Sequence, residues 1–449
     1  MKFIGITNKG VHLSLLGVLL FALGSTAFAA VRPPPHTIYV GTCQAGSSTT
    51  IQAAVTGVKS GGIVYVCPGS YPEQVTITQP LTLEGLTSLG QDAAVVIPPS
   101  GGMVNNGTDI NGNPVQAQII VLGATGVIIK NMTVDGTGNN ISGCVASTFE
   151  GIYYENSSGT IEYNVVRNQY QTNYAADGGC QNGLAINVES LNFGIPVTIN
   201  NNSVSAYQKN GITASGTGAG TGAPGPAVTM TSNRIVGLAA TAMNWPNPPN
   251  QPAAENGIQV GFGATATVSL NTVNNNIWGP DTSADTGDAA SGILIYASQG
   301  VTVSRNSVNS AQFGIVTVSD PNYGTGDGTD VSTNSVTGTQ IFDAIDLCSN
   351  NNSAKSNTVY GNAESGIHLD DTCGSTGNSN TVSANVVNEA CAGILLGYGT
   401  DNTYSPNSYY NVVNTTFAGD TCTSPTYGPA GAAKGSRARP SPFIAKRKQ

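Results

Sequence analysis

The chain is written in short alternations. A glycine followed by Ile or Leu opens runs such as Gly292-Ile293-Leu294-Ile295-Tyr296 and Gly366-Ile367-His368-Leu369-Asp370. The unit begins at Gly151, Gly183, Gly211, Gly257, Gly292, Gly314, Ala344, Gly366 and Gly393. Successive starts lie 32, 28, 46, 35, 22, 30, 22 and 27 residues apart, so 22 is the floor and the excess reads as inserted loop. A second unit follows each first one: Asn, any residue, then Val or Ile, as in Asn202-Ser203-Val204, Asn271-Thr272-Val273 and Asn306-Ser307-Val308. Period-two alternation rich in β-branched residues predicts short strands. Glycine and asparagine between them supply turns, including positions that need φ > 0. A 22-residue unit holding several short strands suits one coil of a parallel solenoid, which buries its inner face only by stacking on its neighbours. Asparagines recurring at one turn would form a side-chain ladder from coil to coil.

Composition narrows the picture. Charged residues are 9% of the 449, far below the usual quarter, which excludes coiled coils and ordinary helical enzymes. Val, Ile and Leu run throughout, so the chain is not disordered. Between Pro33 and Ala433 there are 7 basic and 25 acidic residues, a body charge of −18. Such a body repels nucleic acid, anionic membrane and polyanionic sugars, the last unless a cation bridges the two.

Residues 1–29 read as a signal peptide: Lys2 and Lys9, an apolar stretch from Leu13 to Leu23, then Ala27-Phe28-Ala29 as cleavage site. Residues 30–422 form the solenoid domain, and 423–449 a basic, disordered tail with six basic residues in its last sixteen. No later stretch approaches the length of a membrane span. The expected product is a secreted or periplasmic monomer. Its eight cysteines, 43, 67, 144, 180, 348, 373, 391 and 422, predict disulfides, with sequence neighbours 43–67 and 348–373 as pairs. None forms a CxxC pair, which argues against zinc.

The opening adds Thr50-Ile51-Gln52-Ala53-Ala54-Val55, Gly62-Ile63-Val64-Tyr65-Val66, Pro68-Gly69, Tyr71, Val75-Thr76-Ile77 and Leu81-Thr82-Leu83-Glu84-Gly85. With the repeats, this resembles the right-handed parallel β-helix proteins of the pectin-lyase-like superfamily, particularly the first coils of pectinesterases and NosD-like repeats. The resemblance spans residues 36–422. It implies an all-β, right-handed single-stranded parallel β-helix of about a dozen coils, and a polysaccharide or cell-surface glycan as partner. The Gln-Asp-Thr-Leu and Asp-Phe-Ile-Phe-Gly strings of pectinesterases are missing. So are the Gly-His-Gly and Arg-Ile-Lys strings of polygalacturonases and the Arg-x-Pro-x-x-Arg of pectate lyases. No particular activity carries over residue by residue, and lyase, hydrolase, epimerase and non-catalytic binding protein stay open.

Three groups of residues are candidates for function. Loops after Val166, Ile235 and Val273 are longer than the rest and leave the same turn, so they should cluster on one edge. They hold Tyr170, Tyr174, Trp245 and Trp278, whose rings suit stacking on a sugar's apolar face or simply covering coil edges. Asp281, Asp285 and Asp288 gather hard oxygens in one loop, a set that calcium would accept. The third group follows from register. If the Ile after each Gly points inward, Tyr153, Gln259, Asp346 and His368 point outward at one level, with Glu155, Tyr296, Cys348 and Asp370 one level on. Asp346, His368 and Asp370, flanked by Asp343 and Asp371, are the candidate catalytic group. Two carboxylates about 8 Å apart at Cα suit inverting hydrolysis, and a histidine between them suits C5 proton abstraction from a uronic acid. The bland alternative is a surface ion pair worth little.

Overall fold

The structure, a computed structural model, describes residues 36–87, 93–143, 147–172, 180, 182–218, 222–238, 255–277, 290–339 and 342–422. Each full coil runs through three short strands. In one coil these are Pro196–Asn200, Ser203–Tyr207 and Asn210–Ser215; in the next, Ala227–Thr231, Arg234–Val236 and Asn256–Gly261. The two coils pair in parallel, Ile199 opposite Met230, Val204 opposite Ile235 and Ile212 opposite Ile258. First strands build a 12-stranded sheet. Second and third strands build two further faces. These join where Val386–Leu396 pairs with Thr358–Tyr360 through its first half and with Ser365–Leu369 through its second. Twelve stacked first strands agree with the expected dozen coils.

Alternation sends Val197, Ile199, Val204, Ile212 and Ala214 of one coil onto Val228, Met230, Ile235, Ile258 and Val260 of the next, in a single core along the axis. Fully burying each such side chain contributes up to about 1.5–3 kcal/mol. The two sequence units meet at a corner of this core. A Cβ on Gly257 would run into the Val273 methyl and the Gly292 carbonyl, and one on Gly292 into the Val308 methyl and the Gly314 carbonyl. The glycine of one unit is therefore small because the valine of the other fills the corner.

The predicted ladder is present. Each asparagine's Oδ1 accepts from the backbone N–H and the Nδ2 of the asparagine one coil earlier, from Asn164 through Asn202, Asn233, Asn271, Asn306, Asn334, Asn357 and Asn385 to Asn407. The expectation of glycine or asparagine at φ > 0 fails in most of these turns. The left-handed residue just before the ladder asparagine is Tyr163, Ser232, Leu270, Arg305, Thr333, Ser356 or Ala384, with φ between 56° and 59°. Each such residue costs roughly 1–2 kcal/mol, and the hydrogen bonds of the asparagine beside it hold the turn in place.

The opening Thr50–Val55 stretch is helical. Helix α1, Ile51–Gly57, is capped by the Thr50 side chain, and its first amides donate to the Glu73 carboxylate at 2.9 and 3.0 Å. Ile51, Ala54 and Val55 lie on one helical face and join the core at its N-terminal end. Disulfides 43–67 and 348–373 form as expected, and 391–422 is a third. Cys180 is also disulfide-bonded, and no described cysteine is free.

Candidate functional site

The third face carries the site. Its strands place Ile345, Leu347, Ile367 and Leu369 in the main core. The residues between them therefore point away from it. A single register line runs Tyr153, Asn187, Thr213, Gln259, Leu294, Val316, Asp346, His368, Leu395 along the outer side. Asp346 and His368 are direct partners in adjacent strands, as the alternation required.

The outer side is not the open face that the sequence suggested. Asp343, Asp346, His368 and Asp370 are all 0% exposed. A second apolar cluster covers this side: Phe262, Leu294, Tyr296, Phe313, Val316 and Val318, with Tyr323 and Phe342 packed against it. Phe342 stacks on Phe313 at 4.4 Å between ring centroids, immediately before Asp343. Outward-pointing residues that are themselves apolar recruit loop cover, and this covering buries the charged neighbours too. An exposed ion pair is thus excluded.

Asp343 belongs to the centre of the group rather than its flank. Its Oδ2 lies 3.3 Å from His368 Nδ1, nearer than Asp370 Oδ2 at 3.7 Å. Its Oδ1 accepts from Ser365 Oγ at 2.6 Å. Asp370 Oδ1 accepts from the Thr372 N–H at 2.8 Å. Donor atoms of Asp343, Asp346 and His368 lie within 4.8 Å of one another. Cys348, Cys373 and Asp370 form a second such group, but the two sulfurs are spent in a disulfide and offer no thiolate.

Two further features went unread in the sequence. Tyr398 is 79% exposed, and its N–H donates to Asp371 Oδ1 at 3.2 Å, one strand beyond His368. At the other end of the same side, Asn187 Nδ2 donates to Glu150 Oε1 at 3.1 Å and Tyr153 OH to Glu189 Oε2 at 2.9 Å. Burial first, and then the Glu189 carboxylate, hold Glu150 well above the ordinary carboxylate range. Glu155 and Tyr153 had been placed on this side by register, but Glu150 could be found only by counting back across the glycine.

The three long insertions do leave one turn, between the second and third strands: after Val165–Gln169, Arg234–Val236 and Thr272–Asn276. Tyr170 is half-buried, its carbonyl accepting from Asn139 Nδ2 at 2.8 Å. Tyr174, Trp245, Trp278, Asp281, Asp285 and Asp288 lie outside the described residues, as do the expected signal peptide and basic tail. No helix among the described residues is long and apolar enough to cross a membrane.

Residues 250–409 match the family described as the right handed beta helix region. No curated protein matches the chain. Among solved structures it is similar to the Dettilon tailspike protein, at 15% identity and TM-score 0.53, over 84% of this chain and 68% of that one. It is also similar to a lacto-N-biosidase from Eubacterium ramulus, at 12% identity and TM-score 0.52, over 85% and 68% of the two chains. An exopolygalacturonase from Thermotoga maritima matches at 11% identity and TM-score 0.51, over 80% and 85%. At such identities the likeness is one of fold alone: the chain folds as a right-handed parallel β-helix.

Proposed function

We propose that this is an exported β-helix protein that engages a polysaccharide along the outer side of the third face and cleaves or epimerises it there. The observation that carries the reading is the register line itself. It pairs Asp346 with His368, and Asp343 and Asp370, both buried, lie against the same imidazole, on the side away from the solenoid's own core. Buried ionisable groups that face one another away from the solenoid's core are candidates for a functional site. Exposed Tyr398 beside Asp371 offers a ring for stacking on sugar at the same place, and Trp245, Trp278, Tyr170 and Tyr174 extend that role to the inserted loops. Support also comes from the fold, shared with a lacto-N-biosidase and an exopolygalacturonase, and for export from the disulfides. The −18 body favours a neutral glycan. A polyuronate would need a bridging cation, for which Asp281, Asp285 and Asp288 offer oxygens to calcium.

A second reading, glycan binding without turnover, is favoured by the complete burial of the candidate group. One experiment separates the two. The protein is screened against neutral and uronic polysaccharides, with and without calcium, by reducing-end release, unsaturated-product absorbance and NMR of the uronate. Turnover that Asp370→Asn and His368→Ala abolish supports the enzyme; binding with no product supports the second reading. If no glycan is bound or altered, both fail.

A further inference from the structure

The outer side of the third face holds an arrangement that glycan chemistry alone does not explain. Asp343, Asp346, His368 and Asp370 are each fully buried, within the span of two adjacent coils. Of these four groups only the imidazole can carry positive charge. Placing so many carboxylates together away from water is strongly unfavourable unless something compensates them. The surroundings are apolar on one side, where Phe342, immediately before Asp343 in sequence, stacks on Phe313.

The histidine is the second observation. It is 0% exposed, and among the described residues neither ring nitrogen has a hydrogen-bond partner. Its Nδ1 sits 3.3 Å from Asp343 Oδ2 without the geometry of a hydrogen bond, so the ring is aimed at the carboxylates but not bonded to them. A buried imidazole in that state has a nitrogen lone pair or proton directed at a shared point.

We infer that Asp343, Asp346 and His368 bind a divalent first-row transition metal such as Zn²⁺ or Mn²⁺. Their donor atoms already lie within 4.8 Å of one another, and small side-chain rotations would bring them to the roughly 2.0–2.2 Å of a bound zinc. One imidazole with two carboxylates selects a borderline metal over calcium, which takes six to eight oxygens. Three protein ligands leave a coordination position open, the pattern of reactive rather than purely structural zinc sites. The outer contacts fit as well. Ser365 Oγ donates to Asp343 Oδ1 at 2.6 Å and would orient that carboxylate, while Asp370 Oδ2, 3.7 Å from the same His368 Nδ1 that faces Asp343, borders the site. This site is separate from the Asp281, Asp285 and Asp288 calcium set. It stands independently of any glycan, because occupancy is measured without substrate.

The test uses the full purified chain, stripped with chelator and titrated with Zn²⁺ by calorimetry, with metal content counted on the protein as isolated. One equivalent of Zn²⁺ is expected, with Ca²⁺ bound at least about tenfold more weakly. His368→Ala and Asp346→Asn should each weaken Zn²⁺ by about a hundredfold or more, the upper end of what losing even an outer-shell partner costs. Asp370→Asn should cost about tenfold, and His36→Ala nothing. Absence of a stoichiometric equivalent, or unchanged affinity in His368→Ala, overturns the site. Should the variants fail to fold, Co²⁺ added to the wild-type chain decides: it must shift the His368 imidazole resonances paramagnetically and leave those of His36 in place. Failure of the glycan screen would not alter these readings, nor would a failed metal titration alter the glycan screen.

Discussion

Removing one rung of the asparagine ladder tests what holds the coils together. The Asn306 side chain takes part in four hydrogen bonds. Its Oδ1 accepts from the N–H and the Nδ2 of Asn271, both at 3.0 Å, and its Nδ2 donates to Val268 O at 2.9 Å and Asn334 Oδ1 at 3.0 Å. Asn306→Ala deletes all four. The Asn271 N–H is then left buried without its acceptor, which costs about 1–3 kcal/mol. The other partners keep something: Asn271 Nδ2 still reaches Met230 O at 3.0 Å, and Asn334 Oδ1 still accepts from the residue 306 N–H at 2.9 Å. The three losses, at Asn271 Nδ2, Val268 O and Asn334 Oδ1, are about 0.5–1.5 kcal/mol each, so the variant should be destabilised by about 2.5–7.5 kcal/mol in all. Exposed Asn322 makes the control, because Asn322→Ala should stay within about 0.5 kcal/mol of wild type. Guanidinium unfolding followed by circular dichroism reads the whole solenoid. Hydrogen exchange at the Asn271 amide reads the opened rung, which matters because stacked repeats need not unfold as one unit. If both variants unfold at the same denaturant concentration and the Asn271 amide stays as protected as in wild type, the ladder is an ornament of the turn and not its support.

Other outcomes follow from the same contacts. Glu150 has a folded pKa raised above the ordinary 4.5. Its contribution to stability is therefore complete below 4.5 and is lost as pH climbs through the folded value; Glu150→Gln should flatten that decline in a melting-temperature series, and an identical slope in the variant refutes the burial argument. Tyr398→Ala should weaken glycan affinity several-fold without moving the melting temperature, whereas unchanged affinity would separate the exposed ring from the site. Thiol titration of denatured, unreduced protein should find no free cysteine, and two or more would contradict a fully stapled stack.

Much of the architecture was legible in the sequence because a solenoid imposes the same demands on every coil. Glycine at the corner, valine facing it and asparagine at the turn are each required by the neighbouring coil, so each recurs, and recurrence can be counted. The register of Asp346 and His368 was legible for the same reason: Ile345, Leu347, Ile367 and Leu369 could point only one way. Helix α1 was not legible as a repeat because it occurs once, its signal being the Thr50 cap and the apolar spacing of Ile51, Ala54 and Val55. The burial of the candidate group was hidden too. It depends on Phe342 and Tyr323, which reach this side from loops that alternation does not describe. Asp343 was hidden by its place beside Ala344, on the far side of the position where the repeat is counted from.

That division between forced and free positions bears on function. Inward residues and ladder asparagines answer to the stack, and the inward positions are almost all Val, Ile, Leu, Met and Ala, with Tyr71, Tyr154 and Tyr207 among them. Outward positions of the third face answer to nothing in the solenoid, yet they are not random. Along one register line they pass from polar Asn187, Thr213 and Gln259, through apolar Leu294 and Val316, to ionisable Asp346 and His368. The apolar middle has an evident structural reason, since it seats a second core. The ionisable end is held by polar contacts instead, Ser365 Oγ on Asp343 and the Thr372 N–H on Asp370, although well-packed apolar residues commonly match or outperform buried ions. That contrast between an apolar middle and a buried ionisable end makes Asp343, Asp346, His368 and Asp370 the first residues to vary in this protein.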